Sequence, residues 1–253
     1  MVRVLGWAPF IFHTVELKPF NGGRIQEQIR ALFSRGPVDW VVLMSPTGVR
    51  LFFDNLPSEN REMVTARGGT RFLAVGPRTK EYLLRYGVVE AEVPKNYSSS
   101  GIDQWFSKLP IKGTHIVLVR SSSADNSLSD SLRSRGGEVA TVNVYDSVVP
   151  RDTKSVFDLL AGLQASRFDA VLFTSSISVS NFFRIAEKKF EEPEVTSLLK
   201  RVAVGAIGPV TADQLRENGI EAIVPEEYLL ENAITKLINS SDSTIMASPS
   251  SAY

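Results

Sequence analysis

The sequence predicts an α/β protein made of two doubly wound parallel-sheet domains, and three observations carry that expectation. The first is that the chain repeats itself. Ser45-Pro46-Thr47-Gly48-Val49-Arg50-Leu51-Phe52-Phe53 resembles Ser175-Ser176-Ile177-Ser178-Val179-Ser180-Asn181-Phe182-Phe183 at an offset of 130. Ala74-Val75-Gly76-Pro77-Arg78-Thr79 resembles Ala206-Ile207-Gly208-Pro209-Val210-Thr211 at 132. Tyr86-Gly87-Val88, followed by Val93-Pro94 and Tyr97, resembles Asn218-Gly219-Ile220, followed by Val224-Pro225 and Tyr228, at 132 and then 131. Marks kept in one order at nearly one spacing define two copies of a unit of about 130 residues, too long for a solenoid repeat and the size of a domain.

The second observation is an alternation of short apolar runs with helical patterns. Val41-Val42-Leu43-Met44, Phe72-Leu73-Ala74-Val75, Ile116-Val117-Leu118-Val119, Ala170-Val171-Leu172-Phe173 and Val202-Ala203-Val204 read as buried strands. Continuous β-rich runs between helices indicate parallel strands covered on both faces. The third is the punctuation. Pro77 and Pro209 sit just inside predicted helices, where a missing N–H costs nothing, and Gly87 and Gly219 follow those helices as C-caps.

The copies differ at one place. The second copy is preceded by a strand and helix from His115 to Arg135, running into a strand from Glu138 to Tyr145. The first copy begins directly at Val4 to His13, so a βα unit of about 25–30 residues is expected to be missing from its front. Val4–Phe12 is too short to span a bilayer, has one Arg before it and no small-residue cleavage site after it, and reads as an edge or buried strand. Without its leading strand the sheet should either let Val2–Phe12 slide over to pair with Ala170–Phe173 or leave a gap. The Ser-rich segment after Ile238 reads as a frayed tail.

Composition bounds the chemistry. Of the 253 residues 43% are hydrophobic and 22% charged, the mix of an ordinary globular protein. Lys+Arg and Asp+Glu both number 28, which argues against a general nucleic-acid or membrane-surface binder but leaves room for a local basic cleft. With no cysteine, disulfides, thiolate nucleophiles and Cys-ligated metals are impossible. His13 and His115 lie far apart without metal-ligand spacing, so neither a metal site nor a Ser-His-Asp triad is expected. No targeting address is read, and a cytoplasmic location is expected.

The repeated marks fall where an open parallel sheet binds ligands, at the carboxyl ends of strands. Ser45-Pro46-Thr47, Gly76-Pro77-Arg78-Thr79, Arg120-Ser121-Ser122-Ser123, Ser175-Ser176 and Gly208-Pro209-Val210-Thr211 each follow a predicted strand and open a helix. Helix N-termini offer unsatisfied N–H groups and a positive dipole end, so five such junctions could hold a polyanion without excess Lys or Arg. Ser, Thr and Pro are also ordinary caps, and at any single junction capping alone accounts for them. Arg120 is the candidate basic ligand, standing against a solvated surface charge. Gly205-Ala206-Ile207-Gly208 lacks the spacing of a dinucleotide fingerprint, and no Walker motif occurs.

Taken in order, Ser45-Pro46-x-x-Val49, Val75-Gly76-Pro77-x-Thr79, Val93-Pro94-x-x-Tyr97, Val142-x-Val144-Tyr145, Phe173-Thr174-Ser175, Ala206-Ile207-Gly208-Pro209-x-Thr211-Ala212 and Val224-Pro225-x-x-Tyr228 resemble the uroporphyrinogen-III synthases. The resemblance runs from Ala8 to about Leu237. It implies two flavodoxin-like parallel-sheet domains, a tandem duplication joined by a two-stranded linker. A middle domain at 16–145 would be inserted in a split domain of 1–15 plus 146–253, with Phe10–Val15 and Val142–Val148 as the linker strands. It implies a cofactor-free and metal-free hydro-lyase that cyclises hydroxymethylbilane with inversion of ring D and loss of water, through a spiro intermediate. Tyr145 would be the proton donor to the leaving hydroxyl, against an interdomain packing role. Ser45, Thr47, Thr79, Arg120, Ser175 and Thr211 would bind substrate. A monomer is expected, with the upstream deaminase as a partner and neither nucleic acid nor membrane. Met44 stands where the family usually has Thr, and Val210 where it often has Thr. The alternative of another class is a non-catalytic two-domain sensor of a tetrapyrrole or other polycarboxylate.

Overall fold

The computed structural model describes residues 6–65 and 69–246. The chain divides into two compact units, Leu17–Ser147 and Met1–Glu16 with Val148–Tyr253. The first unit takes its elements in the order β1 (Glu16–Pro19), α1 (Gly22–Phe33), β2 (Trp40–Leu43), α2 (Pro46–Asp54), α3 (Ser58–Thr65), β3 (Arg71–Ala74), α4 (Pro77–Arg85), β4 (Ala91–Glu92), α5 (Ser99–Phe106), β5 (His115–Ser121), α6 (Ser127–Ser134) and β6 (Glu138–Val148).

These strands form one sheet in the order β1-β6-β5-β2-β3-β4. The pairs β6–β5, β5–β2, β2–β3 and β3–β4 are parallel, with Val41 level with Phe72 on one side and Val117 on the other. Counted from β5, the order β6-β5-β2-β3-β4 is the 2-1-3-4-5 of flavodoxin-like sheets. The run Trp40-Val41-Val42-Leu43 is wholly buried because both faces are covered. Val41 and Leu43 enter a core with Ile25, Ile29 and Phe33 of α1 and Phe52 and Phe53 of α2. Trp40 and Val42 enter a second core with Ile102 and Phe106 of α5 and Leu128 and Leu132 of α6.

The second unit holds α7 (Lys154–Gln164), β7 (Ala170–Phe173), α8 (Ser176–Ala186), α9 (Glu192–Leu199), β8 (Ala203–Ala206), α10 (Pro209–Glu217) and α11 (Leu230–Met246). β7 and β8 are parallel, and Gly205 bridges to Ile223. Among the described residues β7 pairs with β8 alone. The core gathers Leu159, Leu160, Phe173, Phe182, Leu199 and Leu215 from the strands and surrounding helices.

Two sequence expectations are corrected here. The leading segment is not a strand over its described part, Gly6–Val15, and β1 starts only at Glu16, after the expected linker strand Phe10–Val15. Its polar and apolar groups are committed to packing instead of a ladder. The Phe12 ring meets Phe173 and Phe182 edge-on at 5.7 and 6.0 Å, the Thr14 carbonyl accepts from Asn181 Nδ2 at 2.8 Å, and the His13 N–H donates to Ser155 Oγ at 2.9 Å. Second, the chain after Ile238 continues α11 to Met246 instead of fraying there; the remainder of the tail lies outside the described residues. Of the two outcomes expected for the leading segment, pairing with Ala170–Phe173 is made by no described residue of Val2–Phe12; Val2–Leu5 lies outside the described residues.

Local geometry recurs at the repeated marks. Ser45 has φ −166° and ψ 157°, Ser175 φ −167° and ψ 154°. Gly76 and Gly208 are equally extended, and each lies under a tyrosine ring. An added Cβ would meet Tyr97 at 3.4 Å in one case and Tyr228 at 3.3 Å in the other. The Gly-Pro and the tyrosine about twenty residues later are therefore one packing motif.

Candidate functional site at the switch point of the middle sheet

A doubly wound sheet offers a crevice beyond the carboxyl ends of its strands where the strand order reverses. In the first unit that point lies between β5, which leads outward to β6, and β2, which leads outward to β3 and β4. Ser45 follows β2 at this point. Its extended backbone and the Pro46 behind it start α2, and its Oγ accepts the Gly48 N–H at 2.9 Å. A Cβ on Gly48 would stand tightly, at 3.1 Å, against Ser45 Oγ and in ordinary contact, at 3.6 Å, with the Val119 carbonyl, so the first turn of α2 lies against the end of β5.

Tyr145 reaches the same point because β6 carries a bulge. The β5–β6 register is regular from His115↔Glu138 to Arg120↔Asn143 and then shifts, so that Ser121 faces Tyr145 and Val144 is the extra residue. Strand side chains alternate between faces, and one inserted residue inverts every later one. Val142, Val144 and Tyr145 consequently all enter the core that holds α2. The ring is buried at 8% exposure, and its Oη lies 3.0 Å from Ser45 Oγ. The bulge is braced by Gln28 of α1, whose amide pairs with both the N–H (3.0 Å) and the carbonyl (3.1 Å) of Asn143.

The β5–α6 junction is tied to the same strand. Asp146 Oδ1 accepts from Ser122 Oγ at 2.9 Å, from Ser123 Oγ and from the Ser147 N–H at 2.9 Å. The Ser123 and Ser122 hydroxyls hold the Asp146 carboxyl below the usual carboxylate range. Arg120 is turned inward at 7% exposure. Its guanidinium donates to the Asp125 carbonyl at 2.5 Å, the Ala124 carbonyl at 3.3 Å and Asn126 Oδ1 at 2.7 Å, while its Nε is buried without a partner. Burial lowers its pKa from the ordinary arginine value.

Among the residues singled out from sequence, the fold brings Ser45 and Tyr145 into contact. Thr47 is half-buried in the first turn of α2. Thr79 and Thr211 take the third position of α4 and α10 at 2% and 3% exposure, so their side chains present almost no surface to a ligand; Arg78 and Val210, beside them, are exposed. Ser175 caps α8 in a reciprocal box, its Oγ accepting the Ser178 N–H at 3.2 Å and its own N–H donating to Ser178 Oγ at 3.3 Å. Sequence reasoning missed Asp146 and the bulge. The available signal was the break in alternation at Val144-Tyr145 beside the serine run 121–123. Among the described residues no helix is long and apolar enough to cross a membrane.

The chain is similar to known proteins along most of its length. The family model described as uroporphyrinogen-III synthase HemD matches residues 2–235. A putative uroporphyrinogen-III synthase of Methanothermobacter thermautotrophicus is 37% identical over 238 residues, 94% of this chain and 90% of that protein. The uroporphyrinogen-III synthase of Chlorobaculum parvum is 26% identical over 235 residues, 92% of this chain and 89% of that one. Among solved structures, a mutant uroporphyrinogen III synthase from the extremely thermophilic bacterium Thermus thermophilus superposes with a TM-score of 0.67 at 22% identity, covering 96% of this chain and 92% of that one. The synthetase from Helicobacter pylori does so with a TM-score of 0.55 at 15% identity, covering 92% and 93%. At these identities the structural likeness is one of fold.

Proposed function

The chain belongs to the uroporphyrinogen-III synthase family, and we propose from that premise that it cyclises hydroxymethylbilane to uroporphyrinogen III, inverting ring D and expelling the terminal hydroxyl as water. The observation that carries this reading is the delivery of Tyr145, by a bulge, to the switch-point end of the middle sheet beside Ser45. A phenol there is suited to protonating a leaving hydroxyl. The C–O electron pair departs with the oxygen, and the already substituted α carbon of ring D attacks the resulting azafulvene methylene to give the spiro intermediate. The bond from that carbon to the methylene shared with ring C then breaks, leaving an azafulvene on ring C, and the methylene rejoins ring D at its free α carbon. The proton lost from that carbon as ring D regains its pyrrole character restores the phenol. The cation forms readily once water leaves, so positioning is the larger part of the task.

The substrate's eight acetate and propionate groups match helix N-termini. Within each unit a Ser-capped helix and a Gly-Pro helix open at strand carboxyl ends, and their free N–H groups favour carboxylates. Because Thr79 and Thr211 are buried, we assign them to shaping these starts, with the backbone N–H groups and exposed Arg78 as the ligand-facing parts. We assign Arg120 to holding the loop 121–127, and Thr47 and Ser175 to substrate contact. The recurrence of cap geometry at offsets of 130 and 132 supports a duplicated ancestral unit.

The test is turnover of hydroxymethylbilane generated by its deaminase, with the products oxidised and separated into type I and type III isomers. The chain is expected to yield type III, and Tyr145→Phe to lower kcat about 10²-fold with substrate affinity little changed. Type I alone, as in the uncatalysed reaction, refutes the reading; full turnover by Tyr145→Phe returns Tyr145 to a packing role.

A further inference from the structure

We infer that Ser45 is the positioning residue of Tyr145, donating its hydroxyl hydrogen to the phenol oxygen so that the phenol's own proton is left for the leaving group. The inference rests on the synthase reading above and concerns how its proton donor is set. A serine hydroxyl has one donor hydrogen and two acceptor lone pairs. Ser45 Oγ uses one lone pair on the Gly48 N–H at 2.9 Å, and Tyr145 Oη lies 3.0 Å away. Between Ser45 and Tyr145 there are two hydroxyl hydrogens and one contact, so one hydrogen must point elsewhere. If the phenol donates to Ser45, the surplus hydrogen is the alcohol's, which is the poorer acid. If Ser45 donates, the surplus hydrogen is the phenol's.

An acceptor at the leaving-hydroxyl position favours the second arrangement. The chain Gly48 N–H to Ser45 Oγ, Ser45 O–H to Tyr145 Oη, Tyr145 O–H to substrate then runs in one direction, each bond polarising the next. It begins at the N-terminus of α2, whose dipole stabilises negative charge at that end. As the phenol proton transfers to the substrate oxygen and the C–O bond breaks, charge develops on Tyr145 Oη, where the Ser45 O–H already points. A donor preorganised at a developing oxyanion acts in the transition state more than in the ground state.

The second unit shows what this arrangement requires. There the third helical residue is Ser178, and its hydroxyl closes the capping box by donating to the Ser175 carbonyl at 2.5 Å and accepting the Ser175 N–H. In the first unit that position is Gly48, which has no hydroxyl to form the box. The first-unit cap is thus open on its outer side, and the bulge in β6 brings Tyr145 to it.

The experiment is a double-mutant cycle on the full chain, with type III turnover as the readout and circular dichroism of each variant as the fold check. Ser45→Ala is expected to lower kcat about tenfold, less than loss of a donor acting directly on substrate, with KM within about twofold. Ser45→Thr, which keeps cap and donor, should restore the rate to within about twofold of the parent. Ser45→Gly removes the donor but caps a helix almost as well as serine; it should match Ser45→Ala, and it serves if the alanine variant is poorly folded. In a Tyr145→Phe background Ser45→Ala should change kcat by less than about twofold, because the donor has lost the oxygen it acts on. A tenfold loss that persists in that background, or a threonine variant as slow as alanine, overturns the inference in favour of a helix cap alone. A parent chain without type III turnover instead overturns the synthase reading, and this inference with it.

Discussion

Replacing Asn181 with Ala should unsettle the second unit through its leading segment. Asn181 is 4% exposed on α8, and its Nδ2 donates to the carbonyl of Thr14, also 4% exposed, at 2.8 Å. The bond spans 167 residues of sequence. Alanine leaves that carbonyl buried and unpaired, a loss of about 1–3 kcal/mol. The void left by the missing amide adds about 1 kcal/mol. The sum, about 2–4 kcal/mol, corresponds to a fall in melting temperature of roughly 10 °C for a unit of this size. The effect should also be local. Amides of residues 12–15 and of α8 should lose hydrogen-exchange protection, because Phe12, packed on Phe173 and Phe182, is held by the same segment. Amides of β2 and β5, in the other unit, should keep theirs. Calorimetry with residue-resolved exchange reads both quantities. A variant within about 0.5 kcal/mol of the parent, the range of an indifferent surface change, would show that the Asn181 bond does not anchor the segment.

Two further predictions concern the β5–α6 junction. Arg120→Met should destabilise the first unit by about 1–3 kcal/mol in urea unfolding, since the Asp125 and Ala124 carbonyls and Asn126 Oδ1 lose their donor, and loop 121–127 should exchange faster; unchanged exchange in that loop would deny the guanidinium a holding role. Asp146, held below the usual carboxylate range by the Ser123 and Ser122 hydroxyls, contributes stability that is present above the unfolded-state pKa and lost as pH falls through the folded one. Asp146→Asn should therefore flatten the decline of stability below about pH 4, the ordinary aspartate value; an acid profile identical to the parent's would mean that these hydrogen bonds confer no linkage.

Much of the architecture is legible in the chain because its signals are local. Trp40-Val41-Val42-Leu43 is apolar on both faces, rich in β-branched residues and short, which reads as a strand covered twice. Gly-Pro before a helix and Gly after it are backbone constraints that hold in any context, and Gly87 and Gly219 indeed take φ +83° and +71°. Phe10–Val15 departs from its expected strand for the converse reason. Apolar content alone cannot say whether a segment pairs its backbone or only inserts a ring, and Ile11 ends 72% exposed while Phe12 packs.

The site divides along the same line. Sequence by itself determined the repeated strand-to-helix junctions and the α/β class, because capping and apolar patterning depend on neighbours a few residues away; Tyr145 became a candidate only through the resemblance of the ordered motifs to a family. Only the tertiary structure decided which candidates meet. The register shift after Arg120 turns Tyr145 onto the face of α2, and Ser45 receives it across 100 residues of chain. The tertiary structure also turned Arg120 inward onto its own loop and closed Thr79 and Thr211 away from surface. A bulge inverts a side chain through one unpaired residue in a ladder, and that ladder exists only once two distant strands lie side by side.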